Sequence, residues 1–139
     1  MIVYALDANT ISYLLRDEGK VSANFQKAIV NADNTYVVPY IVAYEVKRWL
    51  YDKPLKQKKL FSQKFASFFN AVEEDAVMGG DVWDMAAQIY INLKQTGQLI
   101  GDADILIAAF CIVNGYTLVT RNKRDFLRIN GLQHANWYD

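Results

Sequence analysis

Residues 99–126 read LIGDADILIAAFCIVNGYTLVTRNKRDF, and the fold prediction starts from this stretch. Two acids, Asp102 and Asp104, precede a long apolar run, and a second apolar run, residues 116–119, leads into a polar segment that contains Asp125. This order predicts a helix with acids at its start, followed by a strand with an acid just beyond its end. In α/β proteins such places form sites, because unpaired N–H groups and loop side chains meet there.

The two acids at the helix start have different predicted places. Asp102 is expected to be the N-cap of a helix that begins at Ala103, which leaves Asp104 in the first turn. Gly115 is expected to end this helix, since glycine readily adopts the left-handed conformation found at helix C-termini.

The rest of the chain alternates strand-like and helix-like segments. Further strands are predicted at residues 2–6, 35–38 and 73–78. Further helices are predicted at residues 11–15 (capped by Asn9 and Thr10), 21–30, 41–49, 53–71 and 81–95. Repeats and linkers are absent, so the pattern predicts one domain over residues 1–139, with a parallel sheet covered by helices.

The composition is that of an ordinary folded domain, with 53% hydrophobic residues in a chain of 139. Fifteen basic and fifteen acidic residues cancel, so no whole-molecule field attracts nucleic acid or an anionic membrane. The chain has no charged-then-apolar leader and no apolar stretch of about 18 residues. We therefore expect a cytoplasmic protein that does not engage a membrane.

Few residues suit other chemistries. Cys111 lies in an apolar helical run, where a thiol behaves as a small buried hydrophobe. His134 is the only histidine, so a Ser-His-Asp or Cys-His arrangement would depend on a residue close to the end of the sequence. A Gly-rich phosphate loop and a Cys/His metal spacing are both missing from the sequence.

Four carboxylates occupy comparable places in the predicted fold. Asp7 follows the first strand, Asp104 starts a helix, Asp125 follows the last strand, and Glu45 lies in an otherwise apolar helical turn. The carboxyl ends of parallel strands lie on one edge, so these groups can converge. Clustered carboxylates repel one another unless a cation neutralises them, and Mg²⁺ or Mn²⁺ is the natural partner of oxygen ligands. Such an ion suits phosphodiester hydrolysis by an activated water.

Two of these acids also have plainer explanations. A carboxylate in a turn commonly bonds its own backbone, which would account for Asp7 without any chemistry. Glu45 would need a cation if it were buried, because an unpaired buried charge is strongly unfavourable. It could instead point outwards and pair with Lys47 or Arg48.

The predicted helix over residues 53–71 carries the main basic cluster of the sequence. Its members are Lys53, Lys56, Lys58, Lys59 and Lys64. A solvated helix face is favoured over a nucleic-acid stripe as the interpretation of this cluster.

Several short motifs follow one another along nearly the whole chain. They are LDANTIS at 6–12, VAYEV at 42–46, IGDADILIAA at 100–109, LVTRN at 118–122 with Asp125-Phe126, and Gly131-Leu132 with Asn136-Trp137. In this order they make the sequence resemble PIN-domain proteins of the VapC type, the toxin half of bacterial toxin–antitoxin pairs.

The resemblance implies a metal-dependent endoribonuclease that uses Mg²⁺ or Mn²⁺, acts on RNA, is commonly a homodimer and is held inactive by a cognate antitoxin. It also implies a three-layer α/β/α sandwich with a parallel four- to five-stranded sheet. The family's catalytic, metal-binding acids fall on Asp7, Glu45, Asp104 and Asp125. The auxiliary polar residues are Asn9, Thr120 and Asn122. The resemblance leaves open whether one or two metal ions bind. It also leaves open whether Asp125 or Asn122 completes the metal shell.

The chain departs from the family pattern at two places. Pro39-Tyr40-Ile41 stands where a small hydroxyl residue is more typical, and Gly79-Gly80 stands where an acidic cap is usual. Neither change removes an acid, so both concern substrate fit. The alternatives are a catalytically inactive PIN-like interaction domain and a DNA-directed nuclease with the same acidic site.

Overall fold

A sheet of four parallel strands forms the centre of the computed structural model, which describes residues 2–71 and 79–139. The strands are β1 (Val3–Leu6), β2 (Thr35–Val37), β3 (Thr117–Val119) and β4 (Gln133–Ala135). Their order is β2-β1-β3-β4, and every pairing is parallel. This confirms the predicted parallel α/β sheet. The strand predicted at residues 73–78 lies outside the described residues.

Seven helices in the described part of the chain surround this sheet and complete the α/β sandwich. They are α1 (Ala8–Arg16), α2 (Val21–Ile29), α3 (Tyr40–Tyr51), α4 (Leu55–Ala71), α5 (Gly80–Gln95), α6 (Asp102–Asn114) and α7 (Lys123–Phe126). Helix α5 packs along α6, whereas α1 packs against α2, α3 and α4. Among the described helices, none is both long enough and apolar enough to cross a lipid bilayer.

The core is built around β1, β3 and α6, which explains their apolar sequences. Ala5, Leu6, Leu118 and Val119 are fully buried, as expected for strands covered on both faces. The buried residues of α6 include Cys111, and burial raises the pKa of its thiol to about 12, so it is an inert packing residue. The last two residues of each inner strand are thus buried at the edge where the polar residues emerge.

Two predicted helix caps are wrong. Gly101 is the N-cap of α6, with an extended backbone, and Asp102 is the first helical residue. Helix α1 begins at Ala8, and its cap is Asp7, not Asn9 or Thr10. An acid on either side of a helix start satisfies the local propensity rules, and only the backbone angles decide which residue caps. Gly115 ends α6 with a φ of 71°, as predicted.

The end of the chain contains two elements that the sequence patterns did not predict. Strand β4 is formed by Gln133, His134 and Ala135, which lack an apolar run, and it pairs with β3 alone. Helix α7 is a single turn capped by Asn122, whose side chain accepts a hydrogen bond from the Asp125 backbone. Both elements depend on tertiary pairing more than on local propensity.

Candidate active site

Asp7 lies where β1 ends and α1 begins, and it is only 7% exposed. Its Oδ1 accepts a hydrogen bond from the Thr10 backbone N–H at 2.8 Å, so the turn interpretation of this acid is correct. That bond uses one carboxylate oxygen. Burial raises the pKa of Asp7, although hydrogen bonds from Thr10 and from the Thr120 side chain act in the opposite direction.

Asp104 lies in the first turn of α6 and is partly buried. Burial raises its pKa, and the negative charges of Asp7 and Asp125 raise it further. A helix N-terminus favours a nearby carboxylate, but here that effect is outweighed by desolvation and by the neighbouring acids.

Glu45 projects from α3 and is also partly buried. Its pKa is raised by burial, then by the charges of Asp104 and Asp7, and is lowered to a smaller extent by the charge of Arg48. In the described part of the chain, no Lys or Arg nitrogen lies within 4.0 Å of Glu45, and Arg48 instead lies over the Tyr44 ring at 5.4 Å. The alternative in which Glu45 pairs outwards is therefore wrong.

Asp7, Glu45 and Asp104, the acidic trio, thus come from three separate segments and influence one another electrostatically. Their side chains are not arranged as a closed shell, because no three Asp, Glu, His or Cys residues of ranges 2–71 and 79–139 are placed to hold one ion. The fold gathers the acids at one edge of the sheet without bringing their oxygens into mutual contact.

Asp125 belongs to a different local arrangement, which we call the Asp125 cluster: Asn122, Asp125 and Arg128. The Asn122 amide donates to Asp125 Oδ2 at 3.0 Å, and Arg128 Nη1 lies 3.6 Å from Asp125 Oδ1. Asp125 still reaches the trio electrostatically, since its charge raises the pKa of Asp104. Its own charge is offset by Arg128.

The predicted auxiliary residues lie in three different environments. Thr120 is fully buried, and its Oγ1 accepts a hydrogen bond from the Asn122 backbone N–H at 3.0 Å. Asn9 is exposed and lines a groove of ≈ 720 Å³ together with Glu45, Arg48 and Trp49. This groove opens beside one member of the trio, so it offers space for an extended ligand next to the acids.

The basic cluster, which lies on α4 except for Lys53 just before the helix, has a partly structural role. Lys64 Nζ donates to the Leu15 carbonyl at 3.2 Å, and Lys53 Nζ lies 4.6 Å from the centre of the Trp49 ring. Lys56 and Lys59 are exposed, as expected for a solvated helix face.

Two residues that support the site were not assigned to it from the sequence. Thr10, fully buried, donates from Oγ1 to the Val119 carbonyl at 3.1 Å and lies 2.8 Å from Tyr138 Oη. Thr10 therefore joins the ends of β1 and β3 to the last residues of the chain. An Asp-x-x-Thr spacing at a strand end was a usable signal for Thr10, but no local pattern singles out Tyr138.

The chemistry of the acidic trio fits a hard divalent cation. All of its donors are carboxylate oxygens, and all three pKa values are raised because the charges are desolvated or face other acids. A bound Mg²⁺ or Mn²⁺ relieves both effects, and these ions prefer oxygen ligands. Mg²⁺ usually keeps several waters, so an ion at the trio would not need all of its ligands from the protein.

Comparison with known proteins agrees with this geometry. The model of the PIN domain family matches residues 4–132. Ribonuclease VapC2 of Rickettsia felis is 28% identical over 136 residues, covering 98% of each chain. Ribonuclease VapC1 of Haemophilus influenzae (strain R2866) is 24% identical over 141 residues, again covering 98% of each chain.

Solved structures show the same fold. VapBC2 from Rickettsia felis, bound to a DNA fragment from its promoter, contains a chain that matches with a TM-score of 0.86 and 26% identity, over 98% of this chain and 99% of that one. VapBC-1 from nontypeable Haemophilus influenzae matches with a TM-score of 0.85 and 21% identity, over 99% of this chain and 100% of that one.

Proposed function

The chain belongs to the PIN-domain family, and from this premise we propose that it is a metal-dependent endoribonuclease, the toxin of a type II toxin–antitoxin pair. The observation that carries the proposal is the acidic trio, in which three wholly or partly buried carboxylates from separate segments influence one another electrostatically at the edge of a parallel sheet and have raised pKa values. Full-length relatives named Ribonuclease VapC support RNA as the substrate.

In this proposal Asp7, Glu45 and Asp104 hold Mg²⁺ or Mn²⁺, directly or through water. When bound, such an ion lowers the pKa of a water and neutralises charge on the scissile phosphate. Asp7 is oriented by the Thr10 N–H, which donates to one of its two carboxylate oxygens. Asp125, fixed by Asn122, completes the shell or orients the attacking water for in-line displacement.

The same proposal assigns the partners. Solved structures with a similar fold include VapBC complexes, which supports a cognate antitoxin as the inhibitor of this chain. A homodimer in the cytoplasm is also proposed. Co-expression with the product of the neighbouring reading frame, followed by size-exclusion chromatography with light scattering, measures both the complex and the oligomeric state.

A cleavage assay tests the activity. The purified protein is incubated with end-labelled single-stranded RNA in Mg²⁺, in Mn²⁺ and in EDTA, beside DNA of identical sequence. We expect RNA fragments only with a divalent ion and no DNA cleavage. Equal cleavage of DNA would favour the DNA-directed nuclease, because a 2′-hydroxyl would then be irrelevant. No cleavage of any RNA, and no thermal stabilisation by Mn²⁺, would favour the inactive interaction domain.

A further inference from the structure

A second cavity, of ≈ 360 Å³, is partly lined by residues that follow β3 and β4 and has the opposite charge. We call it the cationic pocket and define it by Lys20, Arg121 and Lys123 together with the rings of Tyr13 and Tyr138. One acid, Asp139, also lines it, and its Oδ2 accepts a hydrogen bond from the Asn136 amide at 2.6 Å. Three cations against this one carboxylate leave the pocket net positive.

Arg121 is held in place by aromatic contacts. Its guanidinium carbon lies 5.8 Å from the centre of the Tyr13 ring and 5.9 Å from that of Tyr138, and Nη1 donates to Tyr13 Oη. The two rings meet edge to face at 5.2 Å. Such contacts orient a guanidinium and leave most of its five N–H donors for another acceptor.

Arg121 has no structural anion to neutralise it. Within ranges 2–71 and 79–139, no carboxylate lies within 4.0 Å of its nitrogens, and the residue is exposed. An oriented and accessible guanidinium without an acidic partner suits bidentate binding of a phosphate group.

The cationic pocket adjoins the acidic trio through Tyr138. The Tyr138 hydroxyl lies 2.8 Å from Thr10 Oγ1, and the Thr10 N–H donates to Asp7. Arg121 also directly follows Thr120, a buried residue whose side chain lowers the pKa of Asp7. A phosphodiester chain whose scissile group lies at the trio can therefore place a neighbouring phosphate against Arg121.

We propose that the cationic pocket binds a phosphate of the single-stranded RNA substrate next to the scissile one, with Arg121 as its main ligand and Lys20 and Lys123 as supporting charges. This inference rests on the proposed ribonuclease function. The half-buried Tyr13 and Tyr138 rings line the pocket beside Arg121 and provide apolar surface for the sugar or base attached to that phosphate.

Binding without cleavage tests the inference. The anisotropy of a fluorescein-labelled single-stranded RNA, the one used in the cleavage assay, is measured in EDTA for the wild type, Arg121→Ala, Arg121→Lys and Arg124→Ala. Arg124 is the matched control, because it is an exposed arginine three residues further on that lines a different cavity. We expect Arg121→Ala to raise Kd about tenfold and to lower the slope of log K against log salt by about 0.7, the value for one single-strand phosphate.

The Kd of Arg121→Lys is expected to lie between those of the wild type and Arg121→Ala, because lysine keeps the charge but loses the planar guanidinium. The Kd of Arg124→Ala is expected to stay within about twofold of the wild-type value. Three results would each overturn the inference: equal losses of RNA affinity in Arg121→Ala and Arg124→Ala, an unchanged Kd for Arg121→Ala, or no RNA binding by the wild type. Unchanged binding by Arg121→Ala together with Mg²⁺-dependent cleavage would leave the ribonuclease function standing. Tenfold weaker binding by Arg121→Ala, without any cleavage by the wild type, would support the pocket and contradict the ribonuclease function.

Discussion

The acidic trio and the Asp125 cluster lie at the same end of the sheet, but the surroundings of their carboxylates differ. In the trio, burial and neighbouring acids raise the pKa values of Asp7, Glu45 and Asp104. In the Asp125 cluster, Arg128 lies 3.6 Å from the carboxylate and Asn122 donates to it. Among the described residues, Asp125 has an ion-pair partner and the acids of the trio have none. Four acids that looked equivalent in sequence therefore lie in two kinds of electrostatic environment.

The largest expected effect comes from Asp104→Asn. This change removes one negative charge from the trio, so we expect metal-dependent RNA cleavage to fall by at least about 100-fold, since even outer-shell changes cost 10–100-fold. The thermal unfolding midpoint in EDTA should not fall, because a half-buried charge with a raised pKa has been removed. Asp84→Asn is the control, because Asp84 is an exposed acid on α5 that bonds Gln88. Wild-type cleavage by Asp104→Asn would break the assignment.

Asp125→Asn should have a smaller effect. The amide keeps the shape of the side chain, and Arg128 then loses its acidic partner, so we expect cleavage to fall about tenfold, as for a residue that orients ligands. Initial rates at saturating Mg²⁺ measure this difference. If Asp125→Asn lowered cleavage as much as Asp104→Asn, Asp125 would belong with the trio, and the separation of the trio from the Asp125 cluster would be wrong.

The pH dependence of stability tests whether Asp104 has a raised pKa in the folded protein. A raised pKa means that the folded state binds protons more tightly than the unfolded chain, so the stability gained from the protonated acid is lost as pH rises through the folded pKa. In EDTA, the wild-type midpoint should therefore fall more steeply than that of Asp104→Asn as the pH rises above the ordinary aspartate pKa of 3.8 and through the raised pKa of the folded state. Differential scanning fluorimetry measures both slopes. Parallel curves would show that Asp104 has no raised pKa.

The smallest expected effect is that of Tyr138→Phe. Thr10 Oγ1 donates to the Val119 carbonyl, so the Tyr138 hydroxyl donates to Thr10, and this part-buried bond is lost in the variant. A lost hydrogen bond of this kind costs about 1 kcal/mol, or about 2–4 °C in the midpoint. Cleavage should stay within about threefold, because the Asp7 bond to the Thr10 N–H is retained. A loss of activity as large as that of Asp104→Asn would place Tyr138 in the chemistry itself.

The sequence predicted the inner part of this fold well because its periodicities are strong there. The apolar runs of β1, β3 and α6 are the parts that the core buries on all sides. Strand β4 was missed because Gln133, His134 and Ala135 have no strand pattern of their own and form a strand only by pairing with β3. Its position depends on contacts that no local window of sequence contains.

The candidate site was predicted as a set of acids, but not as an arrangement. Resemblance to a family assigned four acids, and the spacing of residues alone could not rank them. The ranking depends on neighbours distant in sequence: Val119 and Tyr138 support Thr10 beside Asp7, whereas Arg128 compensates Asp125. Such partners meet only after folding, so neither motif nor propensity could reveal them.

Titration of Mn²⁺ against thermal stability tests the central claim, that the acidic trio holds a divalent ion, most directly. Ligand that binds only the folded state at 100 times its Kd adds about 2.7 kcal/mol of stability, so the wild-type midpoint should rise by about 5–10 °C. The midpoint of Asp84→Asn should rise equally, and that of Asp104→Asn should rise little. A wild-type midpoint that ignores Mn²⁺, or an equal rise in Asp104→Asn, would contradict the claim.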